Sequence, residues 1–262
     1  MIFNLYKRDV AYSLIYGKVK FVLFFTVIGF LAAMISSQLK PFYSNSAGTF
    51  YQLLKDFGYL EEPSHFQLPA YWVFIQCSVQ FLIGDFLTHD LKNNGRYLLL
   101  RCRSKSTFIL AKIAWLLTIN LFIYGGLFAV IYLASCFVYG DFSLDSSPFF
   151  EDHVATLIAP AELVARIVIG YLLTGIVLSA IQLLLLQFLA PAITFFAVVL
   201  LGSLSAIVDA KWLPGIHSMI LKQEIFAPEQ QLSFGFSVAY TAVSFVLFSA
   251  VTFMAFRKKD IR

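Results

Sequence analysis

The sequence predicts an all-α integral membrane protein with six transmembrane helices, an amphipathic surface helix before the first of them, and both termini in the cytoplasm. Three observations lead there. The chain is 60% hydrophobic and only 13% charged over 262 residues, with a mean hydropathy of +0.80, whereas soluble domains run near a quarter charged. Its charges fall in blocks separated by apolar runs about as long as a bilayer core is thick. The basic blocks, moreover, sit on alternate loops.

Residues 1–18 mix Phe3, Leu5, Tyr6, Val10, Ser13 and Leu14 with Lys7, Arg8 and Asp9, a pattern suited to a helix lying on the membrane surface. No short apolar core with a small-residue cleavage site follows, so this start reads as retained sequence. Residues 20–38 form the first span. The stretch from Leu39 to Gln67 holds Pro41, Asn45, Gly48, Glu61, Glu62 and Pro63 and reads as a loop with room for a short helix.

The second span, 68–88, carries Gln76, Gln80 and Asp85. The third, 108–138, is about 46 Å long as a helix at 1.5 Å per residue, enough to tilt or to project from the lipid. An acidic loop with Asp141, Asp145, Glu151 and Asp152 precedes the fourth span, 163–189. Arg166 in that span costs about 3 kcal/mol at worst on the insertion scale, and Glu162 stands one turn before it in the favourable order. Beyond Arg166 the chain stays uncharged as far as Asp209, too far for one crossing, so it must reverse near Gln187 to Pro191. The fifth span is then 192–208. A loop with Trp212, suited to headgroup depth, leads to the sixth, 234–256, closed by Arg257, Lys258, Lys259 and Arg262.

Lys7, Arg8, Lys18, Lys20, Lys92, Arg96, Arg101, Arg103, Lys105, Lys112 and the C-terminal basic residues fall on one side. Lys40, Lys55, Lys211 and Lys222 fall on the other. Excess Lys and Arg mark the cytoplasmic face, and both ends carry that mark, which requires an even number of crossings. Four crossings, with the 163–208 region re-entrant, would satisfy the same parity. The net charge of +4 serves topology; no groove-lining pattern for nucleic acid is present.

No catalytic constellation is visible: no Gly-x-Ser-x-Gly, no His-Glu-x-x-His, and no phosphate-cradling Gly-rich loop ending in Lys-Ser/Thr. Cys77, Cys102 and Cys136 are isolated and read as free thiols, and His65, His89, His153 and His217 are scattered, so no metal site is expected. Polar residues inside spans are costly and often functional. Gln76 and Gln80 share one helix face above Gly84, and Asn120 and Gln182 are the further candidates for a translocation path; interhelical hydrogen bonding is the plainer reading of all four. Small-residue pairs at Gly170 and Thr174, Gly175 and Ser179, and Gly202 and Ala206 would allow close helix packing.

The most informative stretch is the cytoplasmic loop 91–106, in which Tyr97 to Leu100 sets bulky apolar residues among Arg96, Arg101, Arg103 and Lys105. A plain anchor needs only charge; this pattern equally suits a short helix that docks a partner. With Gly95 to Ser104 reading Gly-Arg-Tyr-Leu-Leu-Leu-Arg-Cys-Arg-Ser and leading into Ala111 to Trp115, the chain resembles the permease subunits of type 2 ABC transporters. The short bacterial permeases of peptide or bacteriocin export and immunity are the most similar. The likeness covers nearly the whole chain in architecture, while its motif-like part is confined to about Gly95 to Trp115.

That resemblance implies a multi-pass protein of a bacterial inner or cell membrane. Two permease chains would pair, as a homodimer or a heterodimer, each driven by a separate ATPase subunit that binds ATP and Mg; this chain itself would hold no cofactor and would not be an enzyme. Residues 1–18 become the elbow helix, and Asn94, Gly95, Arg96, Tyr97, Leu98, Arg101 and Arg103 the coupling element in a groove of the ATPase. The second and fifth spans line the path, for export of an amphipathic peptide or lipid-like substrate by alternating access. The large outer domain of some relatives is lacking. A non-transporting membrane sensor or assembly partner, or an unrecognised intramembrane enzyme, are the alternative expectations.

Overall fold

A computed structural model describes residues 2–59, 69–93, 104–145, 147–154 and 158–258. The described residues form helices and turns, with no strand among them: α1 (Ile2–Leu39), α2 (Ser46–Leu54), α3 (Ala70–Asn93), α4 (Lys105–Tyr139), α5 (Pro148–His153), α6 (Pro160–Leu185), α7 (Pro191–Ile207) and α8 (Phe234–Lys258). Five of them, α1, α3, α4, α6 and α8, are long and apolar enough to cross a membrane. The predicted fifth span is the shorter α7, whose 17 residues cover about 26 Å against a hydrocarbon core of about 30 Å.

The surface helix and first span expected from the sequence are one element here. Leu5, Asp9, Ser13, Gly17, Phe21, Phe24, Ile28, Ala32 and Ile35 are all buried, and their spacing of three or four residues puts them on one continuous stripe. Nothing between Gly17 and Phe21 breaks it, because a lone Gly lowers helix propensity without ending a helix. The 38 residues of α1 therefore make one rod of about 57 Å.

Neighbouring contacts give the helix directions. Phe21 meets Phe122 and Phe25 meets Phe122 and Gly126, so α1 and α4 run parallel. Trp115 packs on Phe86 and Tyr124 bonds Gln76, so α3 runs against α4. Phe128 on Tyr171 and Asn120 on Ser179 set α6 antiparallel to α4. The chain breaks between Leu185 and Pro191, where Pro takes the first position of α7, a place its fixed φ and missing N–H favour. Phe81 against Phe195 and Trp72 near Gly202 make α7 antiparallel to α3. Leu5, Phe108, Ile109, Ala111 and Phe256 share one apolar cluster, so the two chain ends lie at the same end of the bundle.

At the opposite end the connecting segments fold back onto the helices. Asn45 caps α2 by accepting from Gly48 N at 3.3 Å, and Ala47, Phe50, Leu53 and Leu54 are buried beneath it. Ser36 and Thr49 hydroxyls lie 2.9 Å apart, and Tyr171 donates to the Leu54 carbonyl at 2.8 Å. Residues 208–233 pack likewise: Gly215 lies so close to the Gly202 carbonyl that a Cβ would come within 2.6 Å of it. The Glu162–Arg166 pair forms as its spacing predicts, with Nε to Oε1 at 3.0 Å.

Candidate functional site

On α1, Arg8, Asp9, Tyr12, Ser13, Tyr16 and Lys20 lie on one face by their spacing. Against them the last turns of α3 bring Asp85, His89 and Asp90. Because the two helices run in opposite directions, these groups meet rung by rung. Lys20 Nζ lies 2.5 Å from Asp85 Oδ2. Tyr16 stacks on the His89 ring at 4.2 Å, and Tyr12 Oη lies 2.9 Å from His89 Nε2. Arg8 donates to Asp90 Oδ1 at 2.7 Å.

The last rung takes in α4. Lys112 Nζ is 2.5 Å from Asp90 Oδ2 and 2.7 Å from Asp9 Oδ2, while Arg8 reaches Asp9 Oδ1 at 2.7 Å. Asp9, Asp90 and Lys112 have side chains 0% exposed. Two carboxylates and two cations thus neutralise one another where none could be left alone, since an unpaired buried charge is expensive. One turn on, Trp115 Nε1 donates to Ser13 Oγ at 3.0 Å. The cluster joins three helices, and two of its members, Asp90 and Lys112, flank the basic segment 94–103 in sequence.

Residues 94–103 lie outside the described residues, and with them the predicted coupling residues Asn94, Gly95, Arg96, Tyr97, Leu98, Arg101 and Arg103. Of the four polar residues predicted for a path, Gln80, Asn120 and Gln182 share one network in the packed centre of α3, α4 and α6, and Gln76 bonds Tyr124 beside it. Ser179 Oγ lies 3.3 Å from both Gln80 Oε1 and Asn120 Oδ1, and Asn120 Nδ2 lies 3.2 Å from Ser179 Oγ. Gln182 Nε2 donates to the Gln80 carbonyl at 3.2 Å, and Tyr124 Oη donates to Gln76 Oε1 at 2.8 Å. Gln76, Gln80, Asn120 and Gln182 are all buried; the last three are joined through Ser179 and the backbone, and Gln76 takes the Tyr124 hydroxyl. Gln76 Nε2 and Gln182 Oε1 have no hydrogen-bond partner, an unusual state for buried amide atoms.

The small residues permit this closeness. A Cβ on Gly84 would overlap the Gln182 amide, and one on Gly175 would overlap the Tyr124 ring. Gly170 sits under the His217 carbonyl at 3.0 Å from where a Cβ would be.

The far end of the bundle holds a second polar group. Asp56, 1% exposed, accepts from Leu221 N at 2.9 Å and from Gly58 N at 3.0 Å, and burial pushes its carboxyl above the usual range. Lys222 donates to the Ser205 carbonyl at 2.9 Å and to Asp209 at 2.6 Å. Tyr59 donates to the Lys222 carbonyl at 3.0 Å; burial, then the Asp209 and Asp56 charges, push its phenol up to about 12. His217 Nδ1 lies 3.1 Å from Ser237 Oγ, and burial pushes the ring down to about 4. Among the described residues, no group of three His, Cys, Asp or Glu could hold a metal, and Cys77 and Cys136 are free thiols.

The charge cluster escaped sequence reasoning because Lys112 counted as one more cytoplasmic basic residue and Asp9 and Asp90 as ordinary flanking charges. A signal existed: Lys112 is enclosed by Phe108 to Trp115 in an otherwise apolar helix, an address that calls for a carboxylate.

These helices and buried polar networks define a multi-pass α-helical membrane protein. The chain belongs to the family described as protein of unknown function (DUF2705), which matches residues 50–262; Asp90 and Lys112 fall within the match and Arg8 and Asp9 before it. Neither curated proteins nor solved structures gave a match.

Proposed function

We infer that this protein is the membrane-spanning subunit of an ATP-driven transporter of the type 2 ABC kind. It crosses the membrane six times with both termini in the cytoplasm, pairs with a second permease chain, and takes its energy from a separate ATPase bound at loop 91–106. Its cargo is an amphipathic peptide or a lipid-like molecule. The alternating helix directions and the cluster that joins Leu5 to Phe256 support an even number of crossings, with α7 as the shortest.

One observation carries the reading. The helix ends on either side of the basic loop are bound to each other through Asp90 and Lys112, and both are bound to α1 through Asp9 and Arg8. A push on the loop is therefore delivered to three helices together, which is what a docked motor requires. The lower part of α1, read from the resemblance as an elbow helix, serves here as the third member of that handle.

The test is a search of the neighbouring open reading frames for a protein with a phosphate-cradling loop, then its co-expression with this chain, purification and measurement of ATP hydrolysis in membranes. The pair should co-purify, and Arg101→Glu with Arg103→Glu should abolish stimulation of hydrolysis while leaving membrane insertion intact. Unchanged ATP-driven activity in that double variant would refute the assignment.

A further inference from the structure

The face of α3 turned toward α7 holds a cleft of about 310 Å³ whose lining includes Phe81, Gly84, Asp85, Thr88, Gln182 and Phe195. A second groove of about 400 Å³ runs beside it over α1 and α3, with Lys20, Phe24, Val27, Phe74 and Cys77 among its walls. Phe81 and Phe195, edge to face at 6.1 Å, line both, so an apolar groove and a cleft with a polar end adjoin at those two rings.

The donors at the polar end are the Thr88 hydroxyl and the Lys20 ammonium, the latter already paired with Asp85. Asp85 is an acceptor, and the Gln182 amide has committed Nε2 to the Gln80 carbonyl, leaving Oε1 buried without a partner on a side chain that is 1% exposed. Gly84 keeps that amide in place, since any larger residue would occupy its position. An anionic head would have to sit against the Asp85 carboxylate and the bare amide oxygen, with only the already paired Lys20 in its favour. A quaternary ammonium has charge but no N–H. A primary ammonium has three donors on one compact charge and suits the rings of Phe81, Phe195 and Phe196 as well.

The geometry points to a binding site for an amphiphile with a primary ammonium head, seated between Asp85 and Gln182 with its apolar tail in the groove of α1 and α3. Its role as cargo rests on the transporter reading; its existence as a site does not. The present partner of Asp85 is Lys20, at 2.5 Å. The incoming ammonium competes with Lys20 for the same carboxylate, so occupancy releases the uppermost rung between α1 and α3 and leaves those at His89 and Asp90 in place.

The probe is radiolabelled dodecylammonium, measured at equilibrium on the full chain in phosphatidylcholine nanodiscs, with empty nanodiscs subtracted. Binding should saturate, and dodecanol and dodecyl sulfate should compete at least tenfold less well. Asp85→Asn should weaken binding tenfold or more and Gln182→Leu several-fold. Lys20→Met should tighten it several-fold by removing the competitor, an outcome that a merely structural role for Lys20 would not produce and that keeps the test open if Asp85→Asn fails to fold. Equal competition by all three head groups, or weaker binding by Lys20→Met, would overturn the proposal. Competition by added phosphatidylethanolamine would support it with a lipid as the source of the head, and saturable binding unaffected by that lipid would support it with a free amphiphile. Binding that survives while the Arg101→Glu, Arg103→Glu variant keeps its ATP-driven activity would sink the transporter reading alone; loss of that activity without any dodecylammonium site would sink the site alone.

Discussion

Lys112 Nζ sits 2.5 Å from Asp90 Oδ2, with both side chains fully buried and their positions 22 apart in the chain. In water such a pair is worth little, but inside the bundle each charge is tolerable only because the other is there. The relationship makes the pair a matter of position: Asp90, Lys112 and Asp9 must be in register for any of them to have a partner of opposite charge.

Removing one member alone should therefore be severe. Lys112→Met is expected to destabilise the protein by about 3 to 5 kcal/mol, because it leaves two buried carboxylates with only Arg8, itself one-third exposed. Adding Asp9→Asn and Asp90→Asn to it should recover much of the loss. Thermal melts in one detergent would read this, and a Lys112→Met melt equal to the parent would contradict it.

The Glu162–Arg166 pair offers the contrast. Its side chains are 53% and 24% exposed, so solvent screens it. Glu162→Gln should change stability by less than about 1 kcal/mol, within the spread of replicate melts.

Two glycines should respond with opposite sign. Gly175→Ala drives a methyl into the Tyr124 ring, which is 1% exposed and tied to Gln76, and should cost about 1 to 3 kcal/mol. Gly125 has nothing within 4 Å of a built Cβ. There the same substitution should stabilise by about 0.5 to 1 kcal/mol through helix propensity.

His217 predicts acid sensitivity at the end of the bundle opposite the two chain ends. Its folded value of about 4 lies below the ordinary 6.5, so the unfolded chain binds a proton that the folded one refuses. That contribution is fully present above about pH 6.5 and is lost as pH falls toward 4, a change of about 3 kcal/mol at most. Asp56, raised by burial, acts in the opposite sense on acidification. The measurement is thus the difference between parent and His217→Gln in melts from pH 7.5 to 4.5: the gap should close as the pH drops, and parallel curves would count against it.

Much of the helical plan is legible in the sequence, because lipid makes backbone satisfaction and apolar length the dominant constraints. Pro160 and Pro191 mark helix starts for a reason local to each residue. Gln76, Gln80, Asn120 and Gln182 stand out by the same logic, since amides inside apolar helices must find partners. Which partners they find is a fact about three helices at once, and no local pattern carries it. Residues 39–67 read as a loop with room for a short helix, and α2 stands there; that α2 and Pro214–Ser218 are buried against the helices is again a fact about several elements at once. The boundary expected between residues 18 and 20 follows the end of charge near Lys20, whereas the buried stripe of α1 crosses it without a change of period.

That unbroken α1 has a mechanical corollary. A stiff beam gripped at one extremity by Arg8 and Asp9 and at the other by the Ser36–Thr49 hydroxyls cannot absorb a displacement by flexing between them. Whatever tilts its foot must swing its head, so a disturbance arriving beside Asp9 is felt beside Thr49, some 40 Å away by helical rise, with no intervening relay of side chains.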